Sequence, residues 1–252
     1  MERLFTPRGE AALEAVMRLD PVLAFDFDGT LAPIVDHPDD ARVPAEIAQC
    51  LAELAERHAV AIISGRSVGD VRARLGFAPR FVIGNHGAED DSGRLPEVAR
   101  SALDALRARI GAAAPALVGA GVTVEDKTYS LALHYRRAAD AALARVTIAA
   151  LLDQLPRGLE SFGGKFVVNV VAAGLPDKGD ALTAIVRRCG ADAACFVGDD
   201  VNDEAVFRRA SARWLTIRIG GDAPGSQAMF FLDDIAELVL VLRRMRSLSS
   251  RV

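Results

Sequence analysis

"VLAFDFDGTLAPI", Val22 to Ile34, begins as an unbroken apolar run, meets two acids at Asp26 and Asp28, and turns at Gly29. A short apolar run bounded by a turn signal reads as a strand buried on both faces, the pattern of a parallel sheet. Side chains alternate along such a strand, so Asp26 and Asp28 share one side and Phe27 takes the other. Carboxylates are costly to bury without a partner. The rest of the chain must supply what justifies them.

Outward from this strand, short apolar runs alternate with longer helical patterns, as βαβ units do. "PAEIAQCLAELAERH" (44–58) carries Ile47, Leu51 and Leu54 at helical spacing behind Pro44. "AVAIISGR" (59–66) reads as a second strand, "VGDVRARLG" (68–76) as a short helix and "RFVIGNHG" (80–87) as a third strand. After a change of texture the alternation resumes with "KGDALTAIVRRCG", "ACFVGDD", "VNDEAVFRRA" and "RWLTIRIG", and closes with the helical "LDDIAELVLVLRRMRSL". The stretch between differs: "EVARSALDALRARIGAAA" (97–114) and "AADAALARVTIAALLDQL" (138–155) read as helices. "GVTVEDKTYSLALHYR" (121–136) and "LESFGGKFVVNVV" (159–171) read as strand pieces, residues 123–136 alternating like one antiparallel strand with an open face. The fold class expected is therefore α/β, a doubly wound, Rossmann-like parallel-sheet core over residues 1–87 and 173–252. An α+β module over 88–172 interrupts it.

Bulk properties narrow the function. The chain has 252 residues, 51% hydrophobic and 25% charged, enough for one large core or a core with a smaller companion. A formal net charge of −4 argues against a dedicated partner among nucleic acids or anionic membranes. No apolar run reaches the roughly 18 residues needed to span a bilayer. Cys50, Cys189 and Cys195 fit neither a disulfide framework nor a metal-knuckle spacing and read as buried small residues in a reducing cytoplasm, the expected location.

Open parallel sheets gather ligands at the carboxyl ends of their strands. The first strand delivers Asp26, Asp28 and Thr30 there, the second Ser64, Gly65 and Arg66, and "ACFVGDD" delivers Asp199 and Asp200 with Asp203 one turn on. Lys178 opens the helix after "GLPDKG". Two carboxylates about 4 Å apart repel by about 4 kcal/mol at an effective dielectric of 20, so the group needs a cation. An oxygen-only ligand set favours Mg²⁺. A hydroxyl, backbone amides and a lysine suit phosphate oxygens. Together they indicate phosphoryl transfer through an aspartyl-phosphate.

"DFDGTLAPI", "SGR", "DKG" and "GDDVNDE", in this order, resemble the four signature motifs of the haloacid dehalogenase superfamily. The resemblance covers residues 20–87 and 173–232. It implies Asp26 as nucleophile and Asp28 as general acid/base. It implies Mg²⁺ held by the side chains of Asp26 and Asp199 and the backbone carbonyl of Asp28, with Asp200 and Asp203 just outside. Ser64, the Gly65 amide and Lys178 would grip the phosphate. An Asp at position 28 favours a phosphatase, because ester hydrolysis needs that second carboxyl. The long interval between Ser64 and Lys178 puts the insertion where the superfamily carries its type-2 cap, a lid that usually serves small soluble phosphates.

Within the insertion, "GNHGAE" and "EDKTYSLALHYR" join the core motifs in a narrower resemblance to the trehalose-6-phosphate phosphatase family. It implies that Glu125, Lys127, His134 and Arg136 bind the disaccharide. Glu125 and Lys127, two apart on one strand face, offer an acceptor and a donor for sugar hydroxyls. His86 is either a substrate contact or a satisfied loop histidine. Arg66 either reaches toward the sugar phosphate or supports the flap. Asn169 stands where many members carry a sugar-binding Glu. The expected reaction is Mg²⁺-dependent hydrolysis of trehalose 6-phosphate, with a separate trehalose-phosphate synthase supplying it. The competing readings are a phosphatase of another small sugar phosphate, of the sucrose or mannosylglycerate type, and a non-catalytic sugar-phosphate sensor.

Overall fold

The computed structural model describes residues 1–90 and 97–249, so 91–96, inside the expected insertion, lie outside the described residues. In chain order the elements are β1 (Glu2–Arg3), α1 (Pro7–Met17), β2 (Val22–Phe25), α2 (Ala45–Ala55), β3 (Val60–Ile63), α3 (Val68–Arg72) and β4 (Phe81–Ile83). Next come α4 (Glu97–Ala112), α5 (Ala114–Gly119), β5 (Thr123–Asp126), β6 (Ser130–His134), α6 (Ala141–Leu152), β7 (Leu159–Gly164) and β8 (Val167–Ala172). Last are α7 (Lys178–Arg188), β9 (Ala194–Gly198), α8 (Glu204–Arg209), β10 (Trp214–Ile219), β11 (Phe230–Leu232) and α9 (Ile235–Ser249). The chain divides into two compact units, Met1–Asp91 with Pro176–Val252, and Ser92–Leu175.

The larger unit holds a parallel sheet of seven strands, ordered β1-β11-β10-β9-β2-β3-β4. From β2 the chain walks outward one way through β3 and β4, and from β9 the other way through β10 and β11. The direction of winding therefore reverses between β2 and β9, which pair from Val22↔Ala194 to Phe25↔Val197. A crevice for a ligand is expected at such a switch point. Alternation along the strands builds two apolar layers. Leu23, Phe25, Ile62, Val197 and Ile217 bury against α1, α2 and α9, through Leu13, Leu51 and Leu242 among others. Val22, Ala24, Ile63 and Phe196 bury against α7 and α8, through Leu182, Ile185 and Phe207. Each fully buried Val, Leu, Ile or Phe among them contributes roughly 1.5–3 kcal/mol of transfer free energy.

In the smaller unit an antiparallel sheet is ordered β5-β6-β8-β7. Leu131, Leu133, Val170 and Ala172 face a helical layer that includes Leu103 and Leu106 of α4 and Ile148 of α6. Residues 123–136, expected as one strand, are a hairpin instead: β5 and β6 pair from Thr123↔His134 to Asp126↔Leu131. The turn passes through Thr128 at φ 70°, a left-handed position filled without glycine, so the usual turn signal is missing. Phe166, at φ 63°, turns β7 into β8 just after Gly163 and Gly164. Among the described residues no helix is long and apolar enough to cross a membrane.

Candidate active site

The backbone amide of Asp26 donates to the Val197 carbonyl at 2.9 Å, so the first acid sits where β2 meets β9. The strand itself ends at Phe25, shorter than the sequence pattern implied. The alternation nevertheless continues, because Phe27 is fully buried in the same apolar layer as Leu23 and Phe25. Gly29 then turns the chain at φ 80°, and a Cβ there would lie 2.2 Å from Asp199 Oδ2. Only glycine satisfies both the backbone angle and the contact.

Asp26, Asp199 and Asp203 each bring a carboxylate oxygen within 4.8 Å of the others. Lys178, the first residue of α7, sends its ammonium among them, 2.9 Å from Asp26 Oδ1 and 2.7 Å from Asp203 Oδ1. It is aimed by a helix start in which the Asp177 carboxylate accepts from the Asp180 amide at 2.9 Å. Asp203 is wholly buried. Its second oxygen accepts from the amides of Asp199 and Asp200 at 2.8 and 2.9 Å, fixing the loop after β9. Thr30 Oγ1 donates to Asp199 Oδ1 at 3.2 Å. Asp200 points its carboxylate at Asn202 instead, with Nδ2 at 3.4 Å.

Charge does not balance in this cluster. Burial pushes the Asp26 carboxyl well above its usual range, and Asp203 and Asp199 add repulsion that Lys178 only partly offsets. Asp199 is likewise pushed up by burial and by Asp203. Burial works against the Lys178 charge, but Asp203 and Asp26 outweigh it and hold the ammonium form. Three acids face one lysine, all the acidic donors are oxygens, and the site sits at the carboxyl ends of the central strands β2 and β9. That donor set fits a hard divalent cation.

Asp28 stands apart from the cluster. Its carboxylate accepts a forked pair from Arg66, Nε to Oδ2 at 2.7 Å and Nη2 to Oδ1 at 2.8 Å. The guanidinium lies over the Phe27 ring at 5.3 Å and also donates Nη1 to Asp70 Oδ2 at 2.7 Å. Burial acts against the Arg66 charge, but the bonds to Asp28 and Asp70 raise its pKa further. Arg66 is thus engaged by two acids of its own chain. Asp70 and Arg74 are parts of the site that the motif reading missed. Arg66, Asp70 and Arg74 follow one another at intervals of four, the spacing of ion pairs along a helix, and that signal was there to be found.

Ser64 is fully buried after β3, and its Oγ accepts from the Arg66 amide at 3.1 Å. The His86 amide donates to the Ser64 carbonyl at 2.9 Å. His86 and its neighbour Asn85 both occupy left-handed backbone, at φ 60° and 48°, which costs a non-glycine residue. The His86 ring lies on Gly65, where an added Cβ would come within 2.4 Å of Cε1. The structure thus brings Ser64, Gly65 and His86 together.

The smaller unit carries Glu125, Lys127, His134, Arg136 and Asn169. Glu125, Ala132, Asn169 and Phe162 form one row across the four strands, so Asn169 shares a sheet face with Glu125. His134, two residues from Ala132, joins them. Glu125 Oε2 lies 2.8 Å from His134 Nε2 and 3.8 Å from Lys127 Nζ. The opposite face is the apolar one, so the unit presents a polar face backed by a sealed layer. Arg136 lies beyond β6, its guanidinium 6.0 Å from the Phe166 ring.

The family model for trehalose-phosphatase matches residues 24–105 and 117–227, which take in the Asp26, Ser64, Lys178 and Asp199 segments as well as β5 to β8. The chain belongs to the trehalose-phosphatase family. Curated family relatives agree. A trehalose-phosphate phosphatase of Mycolicibacterium paratuberculosis is 35% identical over 203 residues, 74% of this chain and 50% of that protein. One of Mycobacterium ulcerans is 30% identical over 261 residues, 94% of this chain and 65% of that protein. The chain therefore spans about half to two thirds of the length of these relatives. Solved structures share the fold. A trehalose-6-phosphate phosphatase related protein aligns at TM-score 0.75 with 24% identity, over 91% of this chain and 99% of that one. The C-terminal domain of the C. albicans trehalose-6-phosphate phosphatase aligns at 0.74 with 21% identity, over 96% of each chain.

Proposed function

We propose that the chain hydrolyses trehalose 6-phosphate to trehalose and phosphate, with Mg²⁺, through a phosphoryl group carried on Asp26. The observation that carries this reading is the set of buried Asp26 and Asp203 and half-buried Asp199 around Lys178, in a member of the trehalose-phosphatase family. Asp26 and Asp199 would hold the ion with the Asp28 carbonyl. When bound, Mg²⁺ neutralises charge on the carboxylates and on the phosphate oxygens.

The protein groups then divide the work. Lys178, the Ser64 hydroxyl and the Gly65 amide hold the phosphate oxygens, as donors of these kinds do. The Asp26 carboxylate attacks phosphorus, and the bond to the sugar oxygen breaks. That oxygen leaves with the electron pair and takes a proton from Asp28. Asp28, now a carboxylate, takes a proton from the water that attacks the aspartyl-phosphate, which frees inorganic phosphate and restores Asp26. Asp203 takes no part in bond making. It holds Lys178 and the Asp199 loop in place. The larger unit is the catalytic core in this reading, and the smaller is the specificity cap. In the smaller unit Glu125, Lys127, His134 and Asn169 on one polar face, with Arg136, supply the acceptors and donors a disaccharide needs, and in the larger unit His86 is a substrate contact.

Phosphate release from trehalose 6-phosphate, sucrose 6-phosphate and glucose 6-phosphate, with and without Mg²⁺, tests the reading. Preference for trehalose 6-phosphate and loss of turnover in Asp26→Asn are expected. Equal rates on all three esters would remove the sugar assignment, and turnover surviving in Asp26→Asn would remove the covalent route.

A further inference from the structure

A chain of alternating charge runs away from Asp28. Arg66 forks onto Asp28 and donates its remaining edge to Asp70. The other oxygen of Asp70 accepts from Arg74, Nε at 2.9 Å and Nη2 at 2.6 Å. Arg74 in turn bonds Asp39, with Nη2 2.8 Å from Oδ1 and Nη1 on the backbone carbonyl, and its own carbonyl accepts from the Val43 amide at 3.2 Å. The chain thus joins the candidate acid/base to the loop between β2 and α2.

Burial decides which links matter. The side chains of Arg66 and Arg74 are only 10% and 8% exposed, and Asp70 is 31% exposed. The Asp39 side chain is 94% exposed, so its carboxylate adds little and the contact to its backbone carbonyl matters more. Among the described residues, Asp70 is therefore the one carboxylate that pairs both buried guanidiniums. Burial acts against its charge, but the bonds from Arg74 and Arg66 hold its carboxyl below the usual range.

We propose that Asp70 is a positioning residue for Asp28, acting through Arg66, with Arg74 fixing Asp70 in turn. The inference rests on the role given to Asp28 above. Both Asp28 oxygens accept from Arg66, so a proton on either oxygen displaces one N–H of the fork. A guanidinium held only by Asp28 would then be free to turn, and the carboxyl with it. Asp70 on the far edge and Phe27 beneath keep it in place while Asp28 gains and loses its proton. Arg is suited to this and Lys is not, because only the planar fork engages both acids at fixed angles.

The test exploits the leaving group. An alkyl sugar oxygen needs a proton as it departs, whereas 4-nitrophenolate leaves as the anion. Asp70→Ala should lower kcat on the sugar phosphate by about 10- to 100-fold with KM changed by less than about threefold, the scale of a displaced catalytic group. The pre-steady-state burst of 4-nitrophenolate from 4-nitrophenyl phosphate should change by less than about threefold, because that step needs no acid. Asp70→Glu should recover most of the lost kcat. Arg66→Lys, which keeps the charge but not the fork, should give the same selective loss, and it serves if Asp70→Ala fails to fold by its melting curve. Equal losses on the two esters, or no loss on either, would overturn the proposal. Wild-type turnover of the sugar phosphates tests the functional reading separately, since positioning is read from the ratio between the two esters in variant and wild type.

Discussion

Lys178 lies 2.7 Å from Asp203, and the two side chains are 3% and 0% exposed. The pair is a buried strut, and its other contacts fix what it supports. Asp203 also receives the amides of Asp199 and Asp200, and Lys178 also reaches Asp26. Removing Asp203 strips a buried ammonium of one acid and leaves two amides without an acceptor. Breaking one side of such a pair costs about 3–5 kcal/mol, far more than the pair is worth against an apolar substitute. Asp203→Ala is expected to lose stability on that scale in urea denaturation, and activity with it. Asp203→Asn, which keeps an acceptor, should lose less. Unchanged denaturation midpoints in both variants would contradict the strut.

The same cluster predicts opposite effects of one substitution with and without a cation. Asp199 is raised by burial and by Asp203, so without metal its charge is a liability. Asp199→Asn is expected to leave the metal-free protein as stable as the wild type or more so. In the wild type, Mg²⁺ should raise the melting temperature, since a ligand at 100 times its Kd stabilises by about 2.7 kcal/mol. Asp199→Asn should lose that response. Thermal melts with EDTA and with graded MgCl₂ measure both halves. An undiminished Mg²⁺ response in the variant would exclude Asp199 from the ion's ligands.

The candidate site's core residues were legible in the sequence because they are local to strand ends. Asp26, Ser64 and Asp199 follow short apolar runs, and a parallel sheet brings such ends to one edge whatever lies between them. Lys178 was legible as the residue opening a helix. The β5–β6 hairpin was harder. Thr128 takes left-handed backbone without the glycine or asparagine that would announce a turn, so 123–136 read as one strand. β1, two residues long, is a strand only because Glu2 and Arg3 find β11 across the whole chain, a pairing with no local signal. Asp28 reads as paired with Asp26 by spacing alone. Its partner in space is Arg66, and the Asp70–Arg74 continuation depends on where α3 places its first turns.

Acid should loosen the smaller unit at an identifiable point. Arg107 of α4 forks onto Asp126, Nε to Oδ2 at 2.7 Å and Nη2 to Oδ1 at 2.8 Å, and also bonds Asp104 and the Thr128 carbonyl. The Thr128 amide donates to Asp126 at 2.9 Å, so the fork ties the strained β5–β6 turn to the helix. The bond from Arg107 holds the Asp126 carboxyl below its usual range, with burial opposing and the Thr128 amide assisting. A depressed folded-state pKa means that the unfolded chain takes up the proton first. The stabilisation is therefore complete above the unfolded value, about 3.9, and drains away as the pH falls through the lower folded value. Asp126→Asn removes this contribution at neutral pH and has nothing further to lose in acid from this group. Stability measured by urea denaturation from pH 6 down to pH 3 should fall less steeply in Asp126→Asn than in the wild type, and the two curves should converge at the acid end. Because Asp126 is about half exposed, high salt should shrink the difference at neutral pH. Parallel curves over the whole range would show that the Arg107 fork does not hold the turn.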